Sequence, residues 1–298
     1  YLYADFCSGE IFTASGGTSS LLLTAGGNVS SFGEDEGGEI YVVLHGGTIA
    51  RLVNSNSPAL VTSVSAANYN QQIGVAPDSL VSAFGSGMAT VTVPATSTPL
   101  PTTLGGVTVT VRDGRGVERL APLYYVSPTQ INFAIPSDSA AGFGAIIVTS
   151  NGQVVNSGPV RILPTAPGIF SADSTGSGLA AALVQRIIGE NSTFEPVVQY
   201  NSSNQTFSPI PIDLGSETEL VYLNLFGTGI RHRSALTAVT ATVGGVSVGV
   251  SYAGAQGQYE GLDQLNLLLP KSLRGRGDVD VIVTVDGQVA NTVRVRIM

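Results

Sequence analysis

The chain repeats itself. Phe84-Gly-Ser-Gly87 recurs as Phe226-Gly-Thr-Gly229, and Leu104-Gly-Gly-Val107 as Val243-Gly-Gly-Val246. Gln130-Ile-Asn-Phe-Ala-Ile-Pro136 returns as Gln264-Leu-Asn-Leu-Leu-Leu-Pro270, and Asn151-Gly-Gln-Val154 as Asp286-Gly-Gln-Val289. The landmarks keep their order at offsets of 142, 139, 134 and 135 positions, which places two related domains in one sequence. Whatever architecture one adopts, the other must adopt as well. The boundary falls near Leu163-Pro-Thr-Ala-Pro-Gly168, where two prolines discourage a continuous ladder, so the repeats are assigned to 61–163 and 164–298.

Within each repeat the hydrophobic period is that of a strand. Gly106-Val-Thr-Val-Thr-Val111, Ala145-Ile-Ile-Val-Thr149, Val246-Ser-Val-Gly-Val-Ser-Tyr252 and Val279-Asp-Val-Ile-Val-Thr-Val285 send apolar and polar side chains to opposite faces. Asn151-Gly152 and Asp286-Gly287 each sit between two such runs and predict hairpins, because both central residues of a type I′ turn need positive φ. The expected fold class is all-β, with two tandem immunoglobulin-like β-sandwich domains. Leu179–Ile188 carries good helix formers but no trustworthy N-cap pattern, and is assigned to a strand. Residues 1–53 differ from both repeats. Short runs at 1–5, 9–14, 29–33, 39–44 and 48–53, separated by Gly, predict an antiparallel segment of about one propeller blade, a unit of about 40–45 residues. A polar linker is expected at 54–60, where Pro58 follows Asn and Ser. Because the chain opens at Tyr1 within a strand-like run, upstream sequence is expected to have been removed.

Composition excludes several function classes. Cys7 is the one cysteine, so internal disulfides are impossible, and with 2 His a zinc or iron–sulfur cluster lacks ligands. Lys271 is the one lysine among 13 basic residues. Against 21 acidic residues the net charge is −8, which argues against a nucleic-acid surface, since phosphate binding needs clustered cations. No apolar run approaches the length of about 20 residues that a membrane-spanning helix needs. Low Lys, abundant Ser and Thr and Gly-rich turns fit a secreted or cell-surface bacterial protein.

Two stretches resemble known families. Tyr1-Leu-Tyr-Ala-Asp-Phe-Cys-Ser-Gly-Glu-Ile11, Ser31-Phe-Gly-Glu-Asp-Glu-Gly-Gly-Glu-Ile-Tyr-Val42 and Gly47-Thr-Ile-Ala-Arg-Leu52 resemble the last blade of the glucose/sorbosone dehydrogenase propellers. That resemblance implies a quinoprotein parent holding pyrroloquinoline quinone and calcium on earlier blades, and it carries no catalytic or cofactor residue onto this chain. Over about 61–298 the chain resembles the uncharacterised Solibacter-type C-terminal domain, found at the ends of large exported acidobacterial proteins. The residues concerned include Val64-Ser-Ala-Ala-Asn-Tyr69, Ala76-Pro-Asp-Ser-Leu-Val81, Phe84-Gly-Ser-Gly87, Pro99-Leu-Pro-Thr-Thr-Leu-Gly-Gly-Val107, Ala121-Pro-Leu-Tyr-Tyr-Val-Ser-Pro-Thr-Gln-Ile-Asn-Phe133, Ala166-Pro-Gly-Ile-Phe170, Tyr252-Ala-Gly254 and Gly261-Leu-Asp-Gln-Leu-Asn266. Export and a C-terminal position are implied; no activity is.

Candidate chemistry is sparse. Glu34, Asp35, Glu36 and Glu39 form the densest acidic cluster and could offer oxygen ligands to calcium, but their spacing fits no regular calcium loop and a solvated turn is preferred. His45 beside Gly46-Gly47 could act as a general base only with an orienting partner and a pocket; a surface turn His is the preferred reading. His232 between Arg231 and Arg233 reads as a loop cation cluster, with anion binding as the alternative. Ser86 stands in Gly-Ser-Gly, yet its repeat counterpart is Thr228, so the shared requirement is Gly-x-Gly rather than a nucleophile. Arg276-Gly-Asp278 matches an adhesion tripeptide and is explained by a Gly-rich turn.

Gln130 with Asn132, and Gln264 with Asn266, place equivalent amide pairs along a strand, either to bind a ligand or to tie loops to backbone; the second reading is preferred. Without Trp, a glycan-stacking platform would fall to Tyr124, Tyr125, Tyr252 and Tyr259. The functional expectation is therefore a non-catalytic region of an exported propeller protein. It would serve as a spacer, or dock on a protein, glycan or cell-envelope surface, without nucleic acid, membrane insertion or a cofactor of its own. Two alternatives stand beside it: part of a quinone-dependent sugar dehydrogenase whose active site lies in other blades, and a self-assembling β-protein pairing through exposed strand edges.

Overall fold

The computed structural model describes residues 1–53, 58–70 and 74–298. It divides into two compact units, Tyr1–Ser57 and Pro58–Met298. The first four positions of the expected 54–60 linker lie outside the described residues. The fold is all-β: apart from the short 3-10 turns Leu236–Ala238 and Lys271–Leu273, every regular element among the described residues is a strand.

The first unit carries β1 (Leu2–Ala4), β2 (Glu10–Ser15), β3 (Thr18–Thr24), β4 (Val29–Glu34), β5 (Ile40–Leu44) and β6 (Ile49–Arg51). They pair as two three-stranded sheets, β1-β2-β3 and β4-β5-β6. Strand β3 was not legible in the sequence, because Leu21-Leu22-Leu23 gives no polar–apolar alternation. It has no inside: every residue of Thr18–Thr24 is exposed, Leu21 at 53%. The buried core consists of Ile11, Val29 and Val42, flanked by half-buried residues such as Leu2, Phe32 and Leu44.

The second unit begins with β7 (Ala59–Leu60), β8 (Thr62–Ser65), β9 (Leu80–Phe84), β10 (Val93–Pro94), β11 (Val107–Arg112), β12 (Glu118–Leu120), β13 (Leu123–Val126), β14 (Gln130–Ala134), β15 (Gly142–Ser150) and β16 (Gln153–Ile162). Two five-stranded sheets result, β10-β13-β14-β9-β8 and β12-β11-β15-β16-β7. Ala59 and Leu60, expected in the linker, instead pair in parallel with Asn156 and Ser157; a two-residue strand has no period to read. Both sheets send alternate residues into one core, Val81, Leu123, Ile131 and Phe133 from one and Val109, Ile146, Val148 and Ile162 from the other. We call this the first lobe.

The second lobe contains β17 (Gly168–Ile169), β18 (Ala182–Ile188), β19 (Asn191–Pro196), β20 (Val198–Asn201), β21 (Thr206–Pro209), β22 (Leu220–Thr228), β23 (Val239–Val243), β24 (Val246–Ala255), β25 (Asp263–Leu268), β26 (Gly277–Val285), β27 (Gln288–Val289) and β28 (Val293–Ile297). Of the segment with helix-forming composition, Leu179–Ile188, residues Ala182–Ile188 form β18 and Leu179 and Ala180 make isolated bridges. The long strand β24 changes partner along its length: Val246–Val248 pairs with β23, and Gly249–Ala255 pairs with β25. The sheet is thereby one continuous ladder whose inward residues share a core, with Leu223, Leu225, Leu265 and Leu267 packed among Val243, Val281, Val283 and Val295.

The repeat landmarks are the turns and joints of this architecture. Asn151 and Gly152 have φ of 49° and 80°, and Asp286 and Gly287 have 48° and 80°, the left-handed pair that a two-residue hairpin demands. The Gly-Gly landmarks do the same, with φ of 57° and 77° at Gly105-Gly106 and 56° and 78° at Gly244-Gly245. Two asparagines at matched positions complete the correspondence. Asn156 Nδ2 donates to Leu60 O and Ser86 O, and Asn291 Nδ2 donates to Ile169 O and Gly176 O, each fastening the strand that opens its lobe.

Candidate functional site: the lobe joint and the outer amide face

The two lobes meet through a polar joint. Thr228, fully buried at the end of β22, accepts from Leu80 N at 2.7 Å and donates to Gly261 O at 2.7 Å, so a single hydroxyl spans the lobes. Asp263 opens β25 with no exposure and accepts from Ile230 N, Arg231 N and Arg231 Nε. Burial pushes its carboxyl up from the ordinary value, while Arg231 and the Ile230 amide pull it back. Arg231 also donates to Leu262 O, and its other side lies 3.9 Å from Asp78 of the first lobe. His232 Nε2 stands 2.7 Å from the second oxygen of Asp78, whose first oxygen accepts from Ser137. The Tyr124 hydroxyl donates to Glu260 O, and Glu260 Oε1 accepts from Leu100 N. Close backbone approach completes the contact: a Cβ at Gly261 would stand 2.8 Å from Leu80, and one at Gly176 2.8 Å from Asn68. His232 therefore belongs to the joint. Sequence reasoning missed the part that Asp263, Thr228 and Asp78 play: Thr228 was visible only as the counterpart of Ser86 in the repeated Phe-Gly-x-Gly landmark, and the joint's long-range contacts leave no local pattern.

The amide pairs are real pairs. Gln130 Nε2 donates to Asn132 Oδ1 at 2.9 Å, and Gln264 Nε2 donates to Asn266 Oδ1 at 2.7 Å. Register gives each the same surroundings. Gln130 faces Phe84, and Asn132 faces Ser82 on one side and Tyr125 on the other. Gln264 faces Phe226, and Asn266 faces Asn224 and Tyr252. Since directly opposed residues share a sheet face, and Leu225 and Leu265 point into the core, these groups line the outer face of their sheet. Of the tyrosines considered for a glycan platform, Tyr124 is engaged in the joint, Tyr125 and Tyr252 occupy equivalent outer positions on different lobes, and Tyr259 is strongly exposed. Burial is the main cause raising the Tyr124 phenol.

The other candidates are accounted for locally. Asp35 Oδ1 accepts from Gly37 N and Glu39 N, its Oδ2 accepts from Tyr41, and Glu39 lies 3.6 Å from Arg51. The amide of Glu39 leads the groups that hold the Asp35 carboxyl below its usual value. Glu34 and Glu36 stay exposed, and among the described residues no group of three or more His, Cys, Asp or Glu side chains converges for a metal. Exposed His45 packs edge-on against Phe6. Arg276 donates to Gly244 O and Asp278 is paired in bidentate fashion with Arg296, so the adhesion-like tripeptide has both charges engaged. Two shallow depressions, of about 240 Å³ around Val239, Ala241 and Val248 and about 280 Å³ around Glu219, Leu268 and Lys271, offer no free catalytic group: Lys271 Nζ donates to Leu214 O and Glu219 O, and Glu219 pairs with Arg186. Among the described residues no helix is long and apolar enough to cross a membrane. No protein-family model matches the chain, and no curated protein matches it.

Proposed function

We propose that this chain is a non-catalytic region of an exported bacterial protein, acting as a spacer that presents an interaction surface outside the cell. In this reading residues 61–163 and 164–298 are two immunoglobulin-like sandwiches and residues 1–53 are part of a β-propeller. The observation that carries it is the joint. A flexible tether needs no such contacts, whereas Thr228, the His232–Asp78 pair and the Tyr124–Glu260 contact tie one lobe to the other, beside an Arg231 that Asp263 holds in place within the second lobe, and so favour a stiff module over residues 58–298. Stiffness is what a spacer requires, because interdomain contacts of this kind decide whether tandem domains move independently. Native-state hydrogen exchange on the whole chain tests the reading. The amides of Leu80 and Leu100, which bond across the joint, should exchange only with global opening of the unit; rapid exchange at both, with the lobe cores still protected, would show a hinge instead.

A second reading draws support from β3. Three consecutive leucines on an edge strand, without a charge or proline to blunt it, form an edge that invites pairing. Self-association through this edge would make the first unit an assembly element. A monodisperse monomer at high concentration would eliminate it.

A further inference from the structure

The outer face of the second lobe carries polar atoms that the fold itself does not use. Asn224 is 97% buried on this face, and its Oδ1 has no hydrogen-bond partner. The guanidinium of Arg233 stands over the same face, since a Cβ built on Gly254 would lie 3.5 Å from its Nη1 and 3.1 Å from the Tyr252 hydroxyl. Gly254 is directly opposite Gln264. Arg233 Nε is likewise buried without a partner, and the side chain's recorded hydrogen bond is one long contact, Nη1 to Arg231 O at 3.5 Å. Arg233 joins no ion pair among the described residues. In a chain with 21 acidic and 13 basic residues, a partly buried cation left without a carboxylate is conspicuous.

We infer that Arg233, Asn224, Gln264, Asn266 and Tyr252 form a binding site for an acidic saccharide, a pyranose ring bearing a carboxylate. The guanidinium fork matches a carboxylate in bidentate geometry. Amides both donate and accept, as sugar hydroxyls do, so a row of three amides suits a polyol better than a simple anion. Tyr252 supplies an aromatic flank for the C–H face of the ring. The first lobe repeats the amide pair and the tyrosine but has no basic residue between its Phe84-Gly-Ser-Gly87 and Leu104-Gly-Gly-Val107 landmarks, the interval that holds Arg233 in the second lobe, and has Ser82 where the second has Asn224. It therefore lacks both the cation and the orphan amide, and serves as an internal control. The inference deepens the presentation reading by naming what is presented, and it rests on that reading.

The test is calorimetric titration of the whole chain with trigalacturonate, its methyl ester and inorganic sulfate. Wild-type protein should bind trigalacturonate, and Arg233→Ala should weaken this at least about tenfold, the loss expected for a charge-assisted pair. Asn266→Ala should weaken binding as well, and Asn132→Ala in the first lobe should not. Arg233→Gln, which keeps a long polar side chain, replaces the alanine variant if that one melts early. Equal affinity for the methyl ester, displacement by sulfate at matched concentration, unchanged binding in the Arg233 variants, or no binding by the wild type would each overturn the inference. Failure here with the joint still rigid by hydrogen exchange would leave the spacer reading standing; a mobile joint with binding intact would do the reverse.

Discussion

Thr228→Val replaces a hydroxyl with a methyl of nearly the same size at a position with no solvent exposure. Packing is preserved while the Leu80 amide loses its acceptor and the Gly261 carbonyl loses its donor, both at 2.7 Å in the native joint. An unsatisfied buried polar group costs about 1–3 kcal/mol, so two of them predict a loss of about 2–6 kcal/mol. Thr228→Ser is the matched control: it keeps both hydrogen bonds and removes one buried methyl, worth about 1 kcal/mol. Urea denaturation followed by far-ultraviolet circular dichroism reads both variants on the same scale. The valine protein should unfold at clearly lower urea than the serine protein, and its lobes should separate into two transitions. A valine variant as stable as the serine variant would refute the claim that this hydroxyl ties the lobes together.

Other consequences follow from the same geometry. At Gly152 a Cβ would meet nothing within 4 Å, so Gly152→Ala should cost only the left-handed backbone penalty of about 1–2 kcal/mol. At Gly158 a Cβ would fall 1.9 Å from Val61 O, so Gly158→Ala should be far more damaging in the same urea assay, and the reverse order would contradict the packing of β16. The Asp113 carboxyl is held well below its ordinary value, first by the Ala140 amide and then by the Arg115 and Val117 amides and Arg119. Its contribution is complete above the unfolded carboxylate pKa of about 4 and is lost as pH falls through the lowered native value; the stability gap between wild type and Asp113→Asn should shrink only on acidification. A gap that is flat down to pH 2 would contradict this. If β3 drives self-association, Leu22→Lys should lower the sedimentation-derived association constant at least about tenfold, since a charge on an edge strand opposes pairing.

The β class, the repeat and the hairpins were legible because each rests on local rules. Val107–Val111 and Val279–Val285 alternate with period two, and Asn151-Gly152 and Asp286-Gly287 need the positive φ they adopt. Strands without alternation were missed: β3 with its leucine run, and the polar β19, β20 and β21. The amide pairs were visible as a pattern, and the structure gives them both a local bond to each other and a place on the outer face of their sheet. Arg233 was visible only as one member of the Arg231-His232-Arg233 cluster, and Asn224 not at all, because their significance lies in what they fail to touch. The joint was equally hidden, since Thr228 reaches Leu80 across 148 positions of sequence and no period records such a contact.

The central claim is that residues 58–298 form one stiff module. Spin labels on Val154→Cys in the first lobe and Val289→Cys in the second, both at exposed hairpin positions, with native Cys7 replaced by Ser, test it directly. Double electron–electron resonance on the whole chain should return a single narrow distance distribution, unchanged by viscosity or salt. A broad or multimodal distribution would mean that the lobes move on a hinge, and the joint could then not be what makes this protein a spacer.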